Sequence, residues 1–406
     1  PYRGAGRPEA TFIIERTIDA AARELSIDPY ELRFRNLIPS TSMPFDTGFL
    51  FNYDCGDFPA NMSTARQLSQ YDTFPDRRSK ARDNGRLRGI GFSNPIEVAG
   101  GPFVKPMGDH AGLSLQADGT WELKPGAMST GQGLETAFSD IVADRLGLRP
   151  EQITYRQGDS DLLPGGRGSG GSSSTPVGSG AVVTAVESFV AAAKKLAAEK
   201  LDSAESEVEF EDGLFKLKDS NETLDWDDIQ NLVRESGQES LSVNAEFHPS
   251  AVTFPNGCHV CEVEIDTATG ELKIINYTVV EDVGNVLNET FVKAQIHGGV
   301  AQGVGQALGE VLVYEEGGQL VTGTFMDYAM PRADDLCNVT VACQSVPTTV
   351  NPLGAKGVGE AGTVGSLAAT MNAVCNALAQ IGVNNLEMPA TAAKIWDAIK
   401  DSQSAE

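Results

Sequence analysis

The sequence predicts an α+β fold in which mixed sheets pack against helices. Long segments repeat apolar residues at helical spacing, and shorter apolar segments alternate with turn residues. Hydrophobic residues make up 41% of the 406 residues, which permits sizeable buried cores. A chain of this length favours two or three domains.

Two helices are predicted near the start of the chain. Pro8 suits a first helical turn, and apolar residues at helical spacing extend that helix over 8–25. A shorter helix is predicted over 28–37. Residues 38–85, rich in Ser, Asp, Phe and Pro, are expected to be irregular.

A first region of mixed strands and helices is predicted from about Gly89. Its elements are a strand over 121–124, a helix over 134–146, a strand over 153–156 and an alanine-rich helix over 176–201. An acidic linker or insertion is expected to follow, up to about Pro249, with a solvated surface segment over 202–228.

A second mixed region is predicted after this linker. Its elements are strands over 260–265 and 272–283 around the turn 267–270, a glycine-interrupted helix over 295–308, a hairpin from 311–314 to 320–321, a loop over 352–365 and a helix over 367–378.

Charge and cysteine usage exclude several classes of protein. The net charge of −25 argues against nucleic acid and anionic membranes as partners, and no apolar run is expected to be long enough to span a membrane. The C-x-x-C pair Cys258 and Cys261 lacks a second pair at zinc or iron–sulfur spacing and is interpreted as structural. Widely spaced thiols favour a reducing, cytoplasmic location.

One ionisable side chain stands out in the stretch PLGAKGVGEAGTVG, over 352–365. Glu360 lies there just before an apolar helix, where glycines let the backbone approach a ligand. A carboxylate in that place is suited to acid–base chemistry, or alternatively it stabilises the helix through the helix dipole. Lys356 either neutralises Glu360 or is solvated. A second stretch of the same character, PYRGAGRPEA over 1–10, could face the same pocket.

Three glycine-rich loops, at 131–133, 165–175 and 354–362, each adjoin a predicted helix. Free amides at helix N-termini favour anions, and the hydroxyl groups of 172–175 add donors. Together the loops suit a large phosphate-bearing cofactor. The alternatives are plain linkers for the loops and a helix cap for 172–175.

Two other kinds of site have less support. The stretch 357–362 matches G-x-G-x-x-G, but the weak preceding strand and Glu360 beside the phosphates argue against a dinucleotide fold. The four histidines are isolated, and His297 is interpreted as packed or hydrogen-bonded rather than as a ligand. If a metal is bound, it is therefore expected to arrive with an organic cofactor, with no ligand directly from the protein.

Motifs along nearly the whole chain resemble those of one enzyme family, in the same order. They are YRGAGRPEA, ELRFRNLIP, GQGLETAFSDIVADRLGL, GSGGSSSTPVGSGAV, EDVGNVLN with QIHGGVAQGVGQALGE, DYAMPRADDL and GAKGVGEAGTVGS. The chain thereby resembles the molybdenum-cofactor-binding large subunit of the xanthine dehydrogenase/aldehyde oxidase family, closest to the carbon monoxide dehydrogenase-like branch in its second, YRGAGR form. The resemblance covers the C-terminal portion of such a subunit, so a fragment or a split polypeptide is expected.

The resemblance implies roles for particular residues. Glu360 would be the general base, and Gly359 would bring the backbone close to the metal. The implied cofactor-binding residues are Gly131, Gln132, Gly133, Gly171, Ser172, Thr175, Gln295 and Gly359. The implied substrate-side residues are Arg3, Gly4 and Ala5. Arg7 stays open between a surface ion pair and a functional role.

Two departures from the family pattern narrow the expected chemistry. Carbon monoxide dehydrogenases proper have a cysteine at the position of Gly4, whose sulfur bridges molybdenum to copper, so oxidation of carbon monoxide is not expected. Xanthine dehydrogenases have a phenylalanine at the position of Ala5, so a purine substrate has less support. A small aldehyde or an N-heterocycle remains.

The resemblance therefore implies hydroxylation of an aldehyde or N-heterocycle, with water as the oxygen source. The implied cofactor is molybdopterin cytosine dinucleotide with molybdenum, which could be absent from the isolated chain. The implied partners are the N-terminal half or a separate molybdopterin subunit, an iron–sulfur subunit with [2Fe-2S] clusters and an FAD subunit, without which the chain is expected to be inactive. The alternative is a cofactor-binding or assembly module without activity of its own.

The resemblance also implies a division into domains. Residues 1–85 would be the end of a first molybdopterin-binding domain and a connector. Residues 86–248 and 249–406 would be the two halves of a second molybdopterin-binding domain.

Overall fold

A computed structural model describes residues 2–101 and 106–404. Pro1 of the first motif, and residues 102–105 and 405–406 of the predicted domains, therefore lie outside the described residues. The chain forms two compact units. The first unit comprises Pro1–Val98, Phe254–Pro347 and Val358–Glu406, and the second comprises Ala99–Thr253 and Thr348–Gly357.

The described residues form the following regular elements. The α-helices are α1 (Arg7–Glu24), α2 (Pro29–Arg35), α3 (Phe58–Leu68), α4 (Phe74–Asp83), α5 (Leu134–Leu146), α6 (Ser179–Lys200), α7 (Trp226–Glu235), α8 (Glu289–Leu308), α9 (Ala361–Leu378) and α10 (Ala392–Ser404). The strands are β1 (Phe45–Asp46), β2 (Asn52–Tyr53), β3 (Arg86–Ser93), β4 (Asp109–Gln116), β5 (Trp121–Pro125), β6 (Ile153–Tyr155), β7 (Val208–Glu211), β8 (Leu214–Leu217), β9 (Thr223–Leu224), β10 (Ser240–Phe247), β11 (Asn256–Asp266), β12 (Leu272–Asp282) and β13 (Val339–Cys343).

The first unit is built on a four-stranded sheet in the order β13-β12-β11-β3. Strands β3, β11 and β12 pair antiparallel, and β13 joins β12 in parallel. Helix α9 lies directly on this sheet, because Gly91 of β3 has no side chain: a Cβ there would lie 2.2 Å from the Ala373 nitrogen. Helices α8 and α1 pack on α9, whose side chains are buried almost throughout. The sheet therefore fixes the position of the residue at which α9 begins.

Helices α1 and α2 confirm the first two helical predictions. Asp28 caps α2 by accepting hydrogen bonds from the Tyr30 and Glu31 amides. The prediction that 38–85 is irregular is wrong, because α3 and α4 lie there. Both helices carry proline in the first turn, and few of their side chains are buried, so their polar composition hid the helical repeat.

The two cysteines of the C-x-x-C pair lie on β11, as the sequence predicted. Cys258 and Cys261 point to opposite faces of the sheet and are buried in different apolar clusters. Burial raises the pKa of both thiols, which is the expected behaviour of structural rather than reactive cysteines.

The second unit contains a four-stranded sheet in the order β10-β4-β5-β6, covered by α5 and α6. The helix over 134–146 and the two strands around it were predicted correctly. The predicted acidic linker is wrong, because β7 to β10 and α7 fold there and β10 pairs with the whole length of β4. Buried Phe215, Trp226 and Ile229 join this segment to the core, and the Trp226 indole donates to the Leu146 carbonyl at 2.8 Å.

Three further expectations need correction. Helix α8 is continuous through its glycines, and α9 begins at Ala361, six residues before the predicted start. The hairpin predicted over 311–321 is present but short: Tyr314 and Leu320 form an antiparallel bridge, and the Val321 amide donates to the Val313 carbonyl at 2.8 Å. The segment Ser174–Lys200 is long and apolar enough to cross a membrane, although none was expected, but most of it is buried in the core of the second unit.

Candidate active site and cofactor loops

The parts of the two glycine-rich stretches that belong to the first unit, over 2–10 and 358–365, contact each other. The Gly4 amide donates to Glu360 Oε1 at 3.1 Å, and Arg7 Nη2 lies 2.8 Å from Glu360 Oε2. These residues are more than 350 positions apart in the chain. The structure thus supports the expectation that both stretches serve one place.

A tight left-handed turn aims the Gly4 amide at this carboxylate. Gly4, Ala5 and Gly6 have φ values of 103°, 50° and 91°. The turn is closed by the Ala5 amide, which donates to the Tyr2 carbonyl at 2.8 Å, and it leads straight into α1. Position 4 also has no room for a side chain, because a Cβ would lie 2.5 Å from the ring of Pro8.

Glu360 occupies the N-cap position of α9, but its side chain does not cap that helix. Its two carboxylate oxygens instead contact Gly4 and Arg7, and the side chain is 13% exposed. The partial positive charge of the helix N-terminus still favours the ionised carboxylate. The position of Glu360 is thus compatible with both interpretations from the sequence, acid–base chemistry and stabilisation through the helix dipole. Its hydrogen bonds, however, are made to the turn at Gly4 and Arg7 and not to the amides of α9.

Arg3 joins α8 to the loop that carries Glu360. Its guanidinium donates to the Gly359 carbonyl, to the Gln295 carbonyl at 3.1 Å and side-chain oxygen at 2.9 Å, and to Gln302 Oε1 at 3.1 Å. Burial lowers the pKa of Arg3, and the negative charges of Glu360 and Glu97 oppose that effect. Arg3 is therefore a partly buried residue that links α8 to the loop of Glu360, rather than a surface ion-pair residue, and Gln295 is one of its hydrogen-bond partners.

Arg7, which the sequence left undecided, connects four groups. Its Nε donates to the Gly4 carbonyl at 2.7 Å, and Nη1 donates to the Val98 carbonyl. The same Nη1 lies 3.4 Å from Oε1 of Glu97, and Nη2 pairs with Glu360. Sequence reasoning missed Glu97, although a carboxylate in the apolar run NPIEVAG was a possible signal.

The rim beside Arg3 carries two tyrosines and a glutamate. The Tyr2 hydroxyl donates to Glu310 Oε2 and to the Gln302 carbonyl, each at 3.1 Å, and the Tyr328 hydroxyl donates to Glu310 at 2.8 Å. Burial and the Glu310 charge raise the pKa of Tyr328 to about 12. Ala5 is exposed at the tip of the turn. This rim is polar and lacks an aromatic side chain at position 5.

The second unit holds the glycine loop before α5. Gly131 and Gly133 have φ values of 110° and 79°, which favour glycine, and Gly133 is the N-cap of α5. Between them, Gln132 accepts from the Thr130 amide at 2.5 Å and donates to Ser169 Oγ at 2.9 Å. The side chain of Gln132 therefore ties this loop to the glycine–serine loop.

The glycine–serine loop lies before α6 in the same unit. Gly171 and Ser172 have φ values of 59° and 51°, and the hydroxyls of Ser169 and Ser174 lie 3.0 Å apart. A π-helical turn over Ser174–Gly178 then starts the long helix, without a side-chain cap from the loop. The structure therefore does not support the alternative in which 172–175 cap the helix. Thr175 is half-buried at this helix start.

The donor set of these loops fits a phosphate-bearing cofactor. Positions 131, 168 and 170 face open space, since no atom lies within 4 Å of a Cβ built there. Backbone amides, hydroxyl groups and a helix N-terminus together suit an anionic group. Beneath the loop, the buried carboxylate of Asp109 accepts from the amides of His110 at 2.9 Å and Arg167 at 3.3 Å. Burial raises the pKa of Asp109.

Known protein families and solved structures resemble this chain in sequence and in fold. A family model described as "Molybdopterin cofactor-binding domain" matches residues 64–337, and a second model of that description matches residues 1–37. The chain belongs to the molybdopterin cofactor-binding domain family. Its motifs place it in the xanthine dehydrogenase/aldehyde oxidase family, in the carbon monoxide dehydrogenase-like branch, as the sequence predicted.

Two curated relatives and one solved structure illustrate the likeness. The chain is 32% identical to the carbon monoxide dehydrogenase large chain of Hydrogenophaga pseudoflava, over 98% of this chain and 51% of the relative. It is 31% identical to the 6-hydroxypseudooxynicotine dehydrogenase complex subunit gamma of Paenarthrobacter nicotinovorans, over 100% of this chain and 52% of the relative. Quinoline 2-oxidoreductase from Pseudomonas putida 86 superposes with a TM-score of 0.90 at 28% identity, over 98% of this chain and 53% of that one.

The chain therefore spans about half the length of the relatives that it matches. The solved structures confirm the α+β fold class and the molybdopterin-binding type of fold. The predicted site residues divide between the units. Arg3, Gly4, Ala5, Gln295, Gly359 and Glu360 lie in the first unit, and Gly131, Gln132, Gly133, Gly171, Ser172 and Thr175 lie in the second.

Three expectations about other polar side chains need correction. His259 is not isolated: it is fully buried between the Tyr277 hydroxyl at 3.1 Å and Glu281 at 2.9 Å. His297 is exposed on α8 rather than packed. Lys356 is buried, so the solvated alternative for it is wrong. Within 2–101 and 106–404, no group of three or more His, Cys, Asp or Glu side chains could hold a metal ion.

Proposed function

We propose that this protein is the large-subunit segment of a molybdenum hydroxylase and that Glu360 is its general base. The observation that carries the proposal is the contact between Glu360 and the YRGAGR turn, through the Gly4 amide and Arg7. The relatives that it matches are large chains and subunits of oxidoreductases, which supports the same chemistry.

The contacts around Glu360 suit proton transfer. Arg7 and the Gly4 amide hold the carboxylate in one orientation, and the α9 N-terminus favours its charged form. A fixed, ionised and partly exposed carboxylate can take a proton from water-derived oxygen as that oxygen attacks the substrate. Arg3, through the Gly359 carbonyl, keeps the preceding backbone in place. Glu360 would then pass the proton to solvent.

The loops would hold the molybdenum cofactor, in its cytosine dinucleotide form, by amides and hydroxyl groups. The residues proposed for that role are Gly131, Gln132, Gly133, Gly171, Ser172, Thr175, Gln295 and Gly359. When bound, the cofactor supplies the two-electron oxidation that accompanies oxygen transfer from water. No ligand to the metal is proposed from the protein itself.

The proposed substrate is a small aldehyde or an N-heterocycle. Gly4 supplies no thiol for a copper ion, and the space beside it is filled by Pro8. Ala5 places no ring beside the substrate. Arg3, Gly4 and Ala5 would lie on the substrate side of the site, where the polar rim of Tyr2 and Glu310 suits a substrate that carries a hydrogen-bonding group.

The two electrons are proposed to leave through [2Fe-2S] clusters and FAD on partner subunits in the cytoplasm. The polypeptide equivalent to the unmatched half of the relatives would complete the pocket, and activity would require it. Residues 1–85 are proposed to be the end of a first molybdopterin-binding domain and a connector. Residues 86–248 and 249–406 are proposed to form the two halves of a second such domain.

Substitution of Glu360 tests this function. In the complete enzyme, Glu360→Gln keeps the side-chain shape but removes the base, so we expect turnover to fall by about 10²–10⁴-fold with molybdenum retained. Glu289→Gln, an exposed change of the same charge at the start of α8, is the matched control. Turnover of Glu360→Gln at the control rate would end the assignment of the base.

The second candidate is a cofactor-binding or assembly module without activity of its own, favoured by the half-length match to the relatives. Metal analysis and nucleotide release from the purified chain, together with a native mass spectrum, separate the two. Stoichiometric molybdenum with a cytosine dinucleotide and a partner subunit supports the hydroxylase. A metal-free chain that has no partner supports the module.

A further inference from the structure

Two carboxylates share one guanidinium in the candidate active site. Arg7 reaches Glu360 with Nη2 at 2.8 Å and Glu97 with Nη1 at 3.4 Å. Its Nε also donates to the Gly4 carbonyl, and Nη1 donates to the Val98 carbonyl as well. The position of Arg7 between the carboxylates is therefore set by four separate contacts.

The backbone fixes Glu97 at this place. Its amide donates to the Pro255 carbonyl at 2.8 Å, and the preceding Ile96 forms a bridge with Asn256 at the start of β11. The Glu97 side chain is 1% exposed, whereas the Arg7 side chain is 16% exposed. A buried carboxylate is costly unless it is paired, and the proposed chemistry gives Glu97 no direct role.

We propose that Glu97 is a positioning residue that tunes the basicity of Glu360 through Arg7. An arginine that pairs with a single carboxylate stabilises the charged form and so weakens that carboxylate as a base. A second carboxylate on the same arginine offsets this stabilisation, because its negative charge favours protonation of the first. Glu97 thus lets Arg7 hold Glu360 in place without abolishing its basicity. The inference rests on the proposed role of Glu360.

The balance of positive and negative charge around Glu360 also depends on other nearby groups. Arg3 lies on the far side of the turn, and both Glu360 and Glu97 act on its pKa. Helix α8 contributes the amide side chains of Gln295 and Gln302 to Arg3. Beyond them lie Tyr2 and Glu310 at the rim, and Lys356 precedes Glu360 by four residues in the sequence. Arg3, Arg7, Glu97 and Glu360 together carry no net charge, so the loss of either carboxylate or of Arg7 unbalances the set.

The pH dependence of turnover in the complete enzyme tests the proposal. In Glu97→Gln, Arg7 acts on Glu360 alone, so the acid limb of the activity–pH profile should move to lower pH by about one unit and the plateau rate should fall several-fold. In Arg7→Met the acid limb should move to higher pH by about one unit or more. Arg7→Lys, which keeps the charge, should return the limb toward that of the unmodified enzyme.

A structural role alone would lower the rate at every pH without moving the limb in opposite directions. Glu9→Gln, an exposed change of the same charge in the first turn of α1, is the matched control and should leave the profile unchanged. Limbs that stay fixed, or that move in the same direction in Glu97→Gln and Arg7→Met, would overturn the proposal.

A second measurement does not depend on turnover. Infrared titration of the 406-residue chain with labelled glutamate, with the Glu360→Gln spectrum subtracted, isolates the Glu360 carboxylate band. Its midpoint should fall in Glu97→Gln and rise in Arg7→Met relative to Glu9→Gln. If Glu360→Gln retains turnover while these midpoints move, the proposed base is wrong and the electrostatic coupling stands. If Glu360→Gln is inactive while the midpoints stay fixed, the coupling is wrong.

Discussion

The surroundings of Glu360 and the glycine–serine loop are built from different kinds of residue and held by different kinds of contact. Near Glu360, Arg7 pairs with two carboxylates from distant parts of the sequence, and Arg3 donates to the Gly359 carbonyl and to Gln295. In the loop, glycines at positive φ and short hydroxyl side chains shape the backbone, and long-range charge contacts play little part. The first region fixes the orientation of one carboxylate, while the second presents amides and open space.

This difference predicts different sensitivities. A charged cluster responds to any change in one of its members, because the energy of each ion depends on the others. A glycine loop responds to the addition of a side chain, because its backbone conformation is the feature that matters. Substitutions near Glu360 should therefore change mainly turnover and stability, whereas substitutions in the glycine loops should change mainly the amount of cofactor retained.

The largest effect on stability is expected at Gly4. In Gly4→Ala, strain at φ 103° adds to a clash with Pro8, whose ring lies 2.5 Å from the new Cβ, and the free energy of unfolding should fall by about 3–4 kcal/mol. In Gly131→Ala, φ is 110° but the space is open, so strain alone should cost about 1–2 kcal/mol. Urea denaturation measures both, and equal losses would show that the crowding at Gly4 has no energetic weight.

A smaller effect on folding, with a clear effect on cofactor content, is expected at Gln132. Gln132→Ala removes the hydrogen bond to Ser169 and loosens the glycine–serine loop, at a cost in stability of about 1 kcal/mol. Molybdenum and nucleotide content after purification should fall several-fold. Gln157→Ala is the control, because Gln157 ties down the neighbouring Ser129 by similar hydrogen bonds. Equal cofactor content in both variants would contradict a role for Gln132 in the loop.

The smallest effect is expected at Asp109, beneath the loop. Burial raises the pKa of Asp109, so its contribution to stability is present below the ordinary value of 3.8 and is lost as the pH rises through the folded-state value. Asp109→Asn cannot ionise and should lack this loss. The difference in unfolding free energy between unmodified protein and variant, measured against pH, should therefore decline above pH 3.8.

Exposed Asp118 provides the control of opposite sign. The amide and hydroxyl of Thr120 lower its pKa, so its contribution is lost as the pH falls rather than as it rises. Slopes of the same sign at Asp109 and Asp118 would rule out burial as the dominant influence on Asp109.

Local patterns allowed part of this fold to be predicted. Helices α1, α2 and α5 have start signals and apolar repeats within their own residues, and the structure has them at nearly the predicted bounds. Helices α3 and α4 escaped prediction because their sequences are polar. Strand β10 alternates polar and apolar residues, but it was not predicted because it lies in the segment that was interpreted as an acidic linker. Its local alternation predicts a strand but not its partner, because β4 lies more than 100 residues away in the chain.

The sequence by itself determined the family and the fold class and singled out Glu360 as a candidate base, because the glycine and arginine motifs are contiguous and specific. Only the tertiary structure decided the partners of Glu360. It shows that Arg7 pairs with Glu360 inside the protein, that Glu97 contacts the same arginine, and that Arg3 is hydrogen-bonded to Gln295 on α8. The physical reason is that hydrogen bonds and ion pairs depend on distance in space, and β3, α1, α8 and α9 bring these residues together from four separate parts of the chain.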